Sequence, residues 1–366
     1  MGEKGNVYRE VTLPFLLRSD RVVSSDINGI NGSLTRCGMK VKKLGSLFDH
    51  VAEKTLDLID KGIEKDNGKK FKACEKKWFG QISDAWKADS GELRDHLGAS
   101  QIGGDCLRKV WLGFRTRESQ PSARLIRLWN RGHLEEARIL ALLEQAGIEV
   151  WNDRGDGRQF GYKNGIFAGS IDGLAYNIPE CKNEIVMLEF KTMNDKNFDN
   201  FVARGIGEFP QYERQCHVNM HCMNIYADTH EIFTSLIQDK TKDLKSQRIE
   251  HTLFLAVNKN NDDIHGVIVK RNDLIAEQML ARVPEICNNK VLPDGISDRE
   301  SYYICKMCGF SDFCYGNREL SHNCRTCMMQ NFENGELSCA MGGDKFSEDC
   351  YMGIDFKMTE NKEETA

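Results

Sequence analysis

Apolar positions recur at helical spacing in two stretches of this chain. Leu44, Leu47, Phe48, Val51, Leu56 and Ile59 predict an amphipathic helix from about Leu44 to Ile63. Leu125, Leu128, Leu134, Ala137, Leu140, Ala141 and Leu143 predict a longer one over Arg124 to Ala146, stopped by Gly147. Shorter apolar runs at Gly165 to Ser170 and Ile185 to Lys191 read as strands separated by a turn containing Pro179. A further helix covers about Gln211 to Met223, and the strands Thr252 to Val257 and Gly266 to Val269 flank the polar run Asn258 to Asp263 as a hairpin. Helix, strands, helix, strands is the order of an α/β unit with a small mixed sheet flanked by helices. The chain shows no internal repeat, and Asn28-Gly29 and Asn31-Gly32 mark turns ahead of the first helix.

Composition narrows the class. At roughly 150 residues per domain, 366 residues suggest about two domains. A hydrophobic share of 40% with 29% charged residues is that of an ordinary globular chain and excludes disordered, collagen-like and membrane classes. Fifty Lys and Arg against 55 Asp and Glu give a net charge of −5, so any phosphate-binding surface has to be a local patch. Lys69 to Lys77 reads as a solvated helix face. No stretch approaches the ~18 apolar residues of a membrane helix. The apolar patch Val11 to Leu17, bounded by Arg9 and Arg18, is too short for a signal-peptide core. These features predict a cytoplasmic protein with no membrane partner.

In that setting fourteen cysteines point to thiols or metal ligands, and half of them (Cys305, Cys308, Cys314, Cys324, Cys327, Cys339, Cys350) crowd between positions 305 and 350. Cys305-x2-Cys308-x5-Cys314 supplies three thiolates that need a fourth. Cys305-x2-Cys308, 15 residues and Cys324-x2-Cys327 is also a zinc-ribbon spacing, which strands Cys314 and Cys106. Of the scattered cysteines, Cys37, Cys74, Cys181, Cys216, Cys222 and Cys287 read mainly as small buried hydrophobes. His217 and His221 stand at i, i+4, a spacing that can bind zinc, but no further ligand converges and they read as residues of a packed helix.

The chemistry concentrates in Gly169-Ser170-Ile171-Asp172-Gly173 and Glu189-Phe190-Lys191, with 16 residues between Asp172 and Glu189. Strand alternation sends Glu189 and Lys191 to one face and Phe190 to the other, into the core. Two carboxylates with open coordination positions suit Mg²⁺ or Mn²⁺, and a neighbouring ammonium can orient a nucleophile or offset developing negative charge.

These two elements together resemble the PD-(D/E)XK nuclease superfamily, and their flanks resemble its RecB-type exonuclease branch. The branch carries a Gly-x-x-x-Glu element on a helix before the sheet, matched by Gly132 to Glu136, which makes Glu136 a metal ligand or a group behind one. Its Tyr-x-x-Gln element is matched by Tyr212 to Gln215, which adds Gln215 to the catalytic set; Asn219 stands where an aromatic is usual. The early Cys106-Leu107-Arg108 paired with the late Cys305, Cys308 and Cys314 is similar to the iron–sulfur members, including AddB-type helicase–nuclease subunits and CRISPR-associated adaptation nucleases. That likeness implies a 4Fe-4S cluster on Cys106, Cys305, Cys308 and Cys314, and leaves Cys324, Cys327, Cys339 and Cys350 as a set for structural Zn²⁺. The segment Cys324 to Cys339 also looks like a C-terminal knuckle of some phage-encoded RecB-like exonucleases.

The resemblance covers about residues 98 to 350. It implies a nuclease domain with an iron–sulfur staple (99–320) and a zinc-knuckle-like segment (321–352); outside it stand an N-terminal, mostly helical extension of unknown role (1–98), which matches no family, and a flexible tail (353–366). The implied activity is metal-dependent exonucleolytic hydrolysis of DNA, duplex or single-stranded, in recombination or DNA degradation, in the host cytoplasm if phage-encoded. A single-strand annealing or binding protein is the kind of partner implied. Arg108, Arg124 and Arg131 are candidates for backbone contacts. Two alternatives remain: a non-catalytic DNA-binding or scaffold subunit, and an endonuclease or adaptation-type nuclease.

Overall fold

The computed structural model describes residues 49–354 apart from 86–92, 119–121, 155–157, 228, 238–246, 317 and 344–345. The expectations resting on residues 11–48, and on nearly all of the tail, lie outside the described residues. Where apolar spacing predicts the middle of a helix, the chain instead forms strand β1 (Asp49–Val51), and helix α1 (Glu53–Asp66) starts after it. The reason is tertiary: β1 adds to the edge of the main sheet, Asp49 opposite Val269 and Val51 opposite Val267. Helix α2 (Lys69–Ala85) carries the lysine stretch with Lys69, Lys70, Lys72, Lys76 and Lys77 exposed and Cys74 and Trp78 buried one turn apart.

Next along the chain come β2 (Leu97–Gly98), α3 (Ala99–Ile102), α4 (Leu107–Arg115) and the long α5 (Ala123–Gln145), whose N-terminus Ser122 caps by accepting the Leu125 N–H. Strands β3 (Glu149–Trp151), β4 (Gly161–Asn164), β5 (Phe167–Ser170), β6 (Gly173–Tyr176) and β7 (Val186–Met193) follow. Helices α6 (Asp195–Arg204), α7 (Pro210–Tyr226) and α8 (Thr229–Leu236) precede the hairpin β8 (His251–Asn258) and β9 (Ile264–Lys270). Helices α9 (Asp273–Leu280), α10 (Arg282–Asn288), α11 (Tyr303–Lys306) and α12 (Ser311–Tyr315) and the hairpin β10 (Gln330–Glu333) and β11 (Glu336–Cys339) end the described chain.

The main sheet is six-stranded and mixed, in the order β1-β9-β8-β7-β6-β3, with β7 and β8 parallel and the other pairs antiparallel. Alternation along β7 divides its two faces. Val186, Leu188 and Phe190 join a core with Ile59, Trp78, Leu140 and Leu143 of α1, α2 and α5; Met187 and Met193 join one with Trp111, Val218 and Met220 of α4 and α7. Burying each such large side chain contributes about 1.5–3 kcal/mol. Residues 49–80 and α5 therefore share one apolar core across the boundary expected at 98. Polar contacts tie the same helices: Trp78 Nε1 donates to Glu144 Oε2 (2.5 Å), Lys70 Nζ to the Gln145 carbonyl (2.9 Å) and Gln145 Nε2 to the Ile59 carbonyl (2.9 Å).

A second sheet, β2-β5-β4, lies beside the first in sequence, and its β4–β5 turn meets the β10–β11 turn. There the Ile166 N–H donates to the Gly335 carbonyl at 2.6 Å. A Cβ on Gly165, whose φ is +56°, would fall 2.0 Å from that oxygen, so both conformation and clearance require glycine. Among the described residues no helix is long and apolar enough to cross a membrane.

Candidate active site

Glu189 sits mid-strand on β7 and is 1% exposed. Phe190 packs into the α5 core as alternation predicts, which turns Glu189 and Lys191 toward α7. Asp172 arrives from the link between β5 and β6, and its Oδ2 accepts the Phe190 N–H at 2.7 Å, so the backbone of β7 itself anchors it beside Glu189. The glycines around it are packing requirements. A Cβ at Gly173 would lie 2.6 Å from the Trp151 carbonyl oxygen, and one at Gly169 would lie 2.5 Å from the Tyr162 hydroxyl. Side chains there would push the strands apart under the carboxylate.

Glu189 Oε1 accepts from the Lys191 ammonium and from Gln215 Nε2 (3.0 Å). Its Oε2 is buried with no hydrogen-bond partner. Such an orphaned acceptor costs roughly 1–3 kcal/mol, more when charged. Burial, and then the charge of Glu189, push the Asp172 carboxyl well above the usual carboxylate range; Glu136 adds to this, while Lys191 and the Phe190 N–H oppose it. Burial also works against the Lys191 ammonium, but Glu189 and Asp172 outweigh it and raise its pKa, so Lys191 stays charged. Its Nζ lies 5.3 Å above the Tyr212 ring. The buried Glu189 and the half-buried Asp172 face one ammonium, a divalent cation would favour the charged form of both carboxylates, and an all-oxygen donor set with an unpartnered oxygen fits Mg²⁺ or Mn²⁺.

Asp172, Glu189, Lys191 and Gln215 thus meet through direct contacts. Glu136, on α5, joins them through its charge on Asp172, and its Oε1 lies 3.4 Å from His133 Nδ1. That contact raises the His133 pKa. The neighbouring Glu135 is spent elsewhere: it pairs with Arg138 (3.1 Å), which also holds Asp262 (3.0 Å). Asn219, in place of the expected aromatic, is buried; it accepts from the Tyr162 hydroxyl (3.0 Å) and donates to the Ser170 carbonyl (3.4 Å). It therefore ties α7 to the strand that leads into Asp172. His217 and His221 behave as packed-helix residues, His217 buried and held neutral by burial, its pKa lowered to about 4, and His221 Nδ1 at 2.8 Å from Asp273 Oδ1.

Cys106, Cys305, Cys308 and Cys314 line one small cavity, together with Arg108, Phe310 and Tyr315. Burial raises the thiol pKa of both Cys308 and Cys314, and each also feels Cys106. The Tyr315 hydroxyl donates to Cys305 Sγ at 3.3 Å. Near the C-terminus, Cys324 feels Cys327, Cys339 and Cys350, with Cys339 delivered by β11. Each set gathers four thiols in one neighbourhood, but neither brings three of its sulfurs within 4.8 Å of one another. Arg108 belongs to the first of these sites rather than to the acidic one: its Nε donates to the Pro293 carbonyl (2.8 Å) and its guanidinium bonds Cys314. Arg124 is exposed at the start of α5, and Arg131 Nη2 donates to the Lys259 carbonyl (2.6 Å).

Sequence reasoning missed a tighter group. Among the described residues one set of three brings its ligand atoms within 4.8 Å of one another: Cys181, Glu184 and His251. Cys181 is buried, as expected, but it is not merely a core residue. Only Cys181-x2-Glu184 is local; His251 reaches them through the β7–β8 pairing, which spacing does not reveal.

No protein-family model matches this chain, and no curated protein does. Among solved structures it is similar to one titled "Crystal structure of SSO0001", at 11% identity over 73% of this chain and 98% of that one, with a TM-score of 0.27. A likeness that slight bears on neither fold nor function.

Proposed function

We propose that this chain is a divalent-metal-dependent deoxyribonuclease that hydrolyses phosphodiesters from DNA ends. The supporting observation is the meeting of the half-buried Asp172, Lys191 and Gln215 around the buried Glu189, whose Oε2 is unpartnered. Asp172 and Glu189 hold the ion, with Glu136 behind them. When bound, Mg²⁺ or Mn²⁺ supplies a Lewis acid for the phosphate and acidifies a coordinated water. Gln215 fixes the rotamer of Glu189. Lys191 keeps its charge at neutral pH and offsets the negative charge that builds on the phosphoryl oxygens as the water oxygen bonds to phosphorus and the sugar oxygen leaves. Stacking over Tyr212 limits where that ammonium can swing.

In the same reading, Cys106, Cys305, Cys308 and Cys314 hold a 4Fe-4S cluster that closes a loop of some two hundred residues, and Cys324, Cys327, Cys339 and Cys350 hold Zn²⁺. Both are structural. The exposed Arg124 on α5 is left for the DNA backbone.

The test is digestion of end-labelled linear duplex, linear single strand and covalently closed circle with Mg²⁺ or Mn²⁺, by wild type, Glu189→Ala and Lys191→Ala. Linear DNA is degraded, the circle persists, and both variants are inactive. Cutting of the circle removes the exonuclease reading, and full activity in either variant removes the site.

A further inference from the structure

At the end of β7 and β8 away from Glu189, three side chains of metal-ligating type converge. Cys181 lies in the loop between β6 and β7, Glu184 follows it, and His251 opens β8 as the register partner of Val186. The parallel pairing that shapes the acidic site therefore also returns His251 to this loop. Asn183, at φ 60°, turns the chain between Cys181 and Glu184. His251 Nδ1 lies 2.6 Å from Glu184 Oε2, and one ligand atom of each residue lies within 4.8 Å of the other two.

We propose that Cys181, Glu184 and His251 form a binding site for a transition-metal ion of the Zn²⁺ class, supplying three of four tetrahedral ligands and leaving the fourth position to water. For three atoms no more than 4.8 Å apart some point lies within about 2.8 Å of all three, and Zn²⁺ bonds to thiolate, imidazole and carboxylate are about 2.0–2.3 Å. Closing that gap takes side-chain shifts of up to about 1 Å. The mixed donor set selects a borderline-soft ion, whereas the all-oxygen set of the acidic site selects a hard one. Burial is graded in the way an ion site needs: Cys181 is 3% exposed, while the side chains of Glu184 and His251 are 15% and 22% exposed, which gives a route in and room for water. On binding, the Cys181 S–H bond breaks, its proton goes to solvent, and a sulfur–metal bond forms. The His251 Nδ1–H bond to Glu184 breaks as well, its proton leaving Nδ1 to solvent with Nε2 carrying the one proton of the neutral imidazole, and the hydrogen bond gives way to two coordinate bonds.

Val186, the register partner of His251, and Glu189 are three residues apart along β7, about 10 Å, so this ion is separate from the one proposed at Glu189. Its loop has a further task. Glu180 caps α1, with Oε1 accepting the N–H groups of Lys54 (2.8 Å) and Thr55 (3.2 Å) and Oε2 the Thr55 hydroxyl (2.6 Å). An ion at the triad clips that loop to β8 and thereby steadies the seat of α1. The inference does not depend on the chain being a nuclease.

The experiment is zinc content per chain by mass spectrometry, after equilibration with Zn²⁺ and removal of excess, for wild type, Cys181→Ala, Glu184→Gln and His251→Gln. Variants with the wild-type circular-dichroism spectrum should each hold one equivalent fewer than wild type. Equal zinc in a folded variant overturns the site. If no variant folds, Co²⁺ titration of the zinc-free wild type decides: an equivalent with a tetrahedral spectrum and the sulfur charge-transfer intensity of a single thiolate supports the triad, and its absence overturns it. None of these readings uses DNA.

Discussion

The middle of the main sheet and the cysteine-rich region from about 289 to 354 solve the same problem, holding reactive side chains in place, by different means. On β7, six of eight residues are buried and the carboxylates are held by ladder geometry, a backbone N–H and a helix packed on each face. In the C-terminal region α11 and α12 have four and five residues, and Val291, Tyr303, Met307 and Met341 are 69–86% exposed. A large apolar core positions polar groups as a by-product of folding. Where that core is thin, the thiols that a ligand would join become the framework themselves.

The harshest way to break this comparison is to remove the metals proposed for the thiols. Structural Zn²⁺ in small modules is worth about 10–16 kcal/mol, so chelation, or Cys314→Ser with Cys327→Ser, should expose residues 289–354 to limited proteolysis while fragments containing β7, β8 and α5 survive. Proteolysis spread evenly over the chain would show that the two regions do not differ.

Glu189→Ala cuts in the opposite direction. Nuclease activity should fall by about 10³-fold, comparable to losing a preorganised charge-stabilising group, yet Tm should change little, because the variant loses the bonds from Lys191 and Gln215 but also an unpartnered buried oxygen and the charge that pushes Asp172 up. A Tm that falls with the activity would mean that the site is part of what holds the sheet.

A pH series sharpens the sheet's side of the comparison. The His217 pKa is about 4 in the folded chain and near 6.5 unfolded, so the unfolded state takes up the proton first. Stability is complete above about pH 6.5 and declines as pH falls toward 4, by on the order of 2 kcal/mol. Urea unfolding at pH 7 and pH 5 of wild type and His217→Gln measures it, the variant showing the shallower dependence. The smallest effect is at α1. Glu180→Ala removes a cap worth about 1 kcal/mol and should lower Tm by a few degrees without altering cleavage of linear DNA.

Elements defined by their own periodicity were legible. The helix expected over Arg124 to Ala146 is α5, and the hairpin expected around Asn258 to Asp263 is β8–β9, because the turn, the apolar stripe and the strand alternation are all local. Strand β6 was not legible, since all four of its residues are buried and it shows no alternation. Nor was β1, three residues whose strand state exists only because β9 is there to pair with. The same limit applies to side chains. Asp172 and Glu189 could be named from short motifs, but that Gln215 holds the same oxygen as Lys191, and that Glu135 is taken by Arg138 while Glu136 acts on Asp172, follows from how α7 and α5 lie on the sheet.

By itself the amino-acid order determined the long helices and the alternating strands, which face of each is apolar, and where carboxylates and thiols are concentrated, because all of these depend on neighbours a few bonds away. Tertiary structure alone decided that residues 49–80 share a core with α5, that Arg108 serves the thiols and not the acids, and that His251 meets Cys181 and Glu184. Those outcomes rest on strand pairing and helix packing between segments 66 to 185 residues apart, and no local preference encodes the distance closed between them.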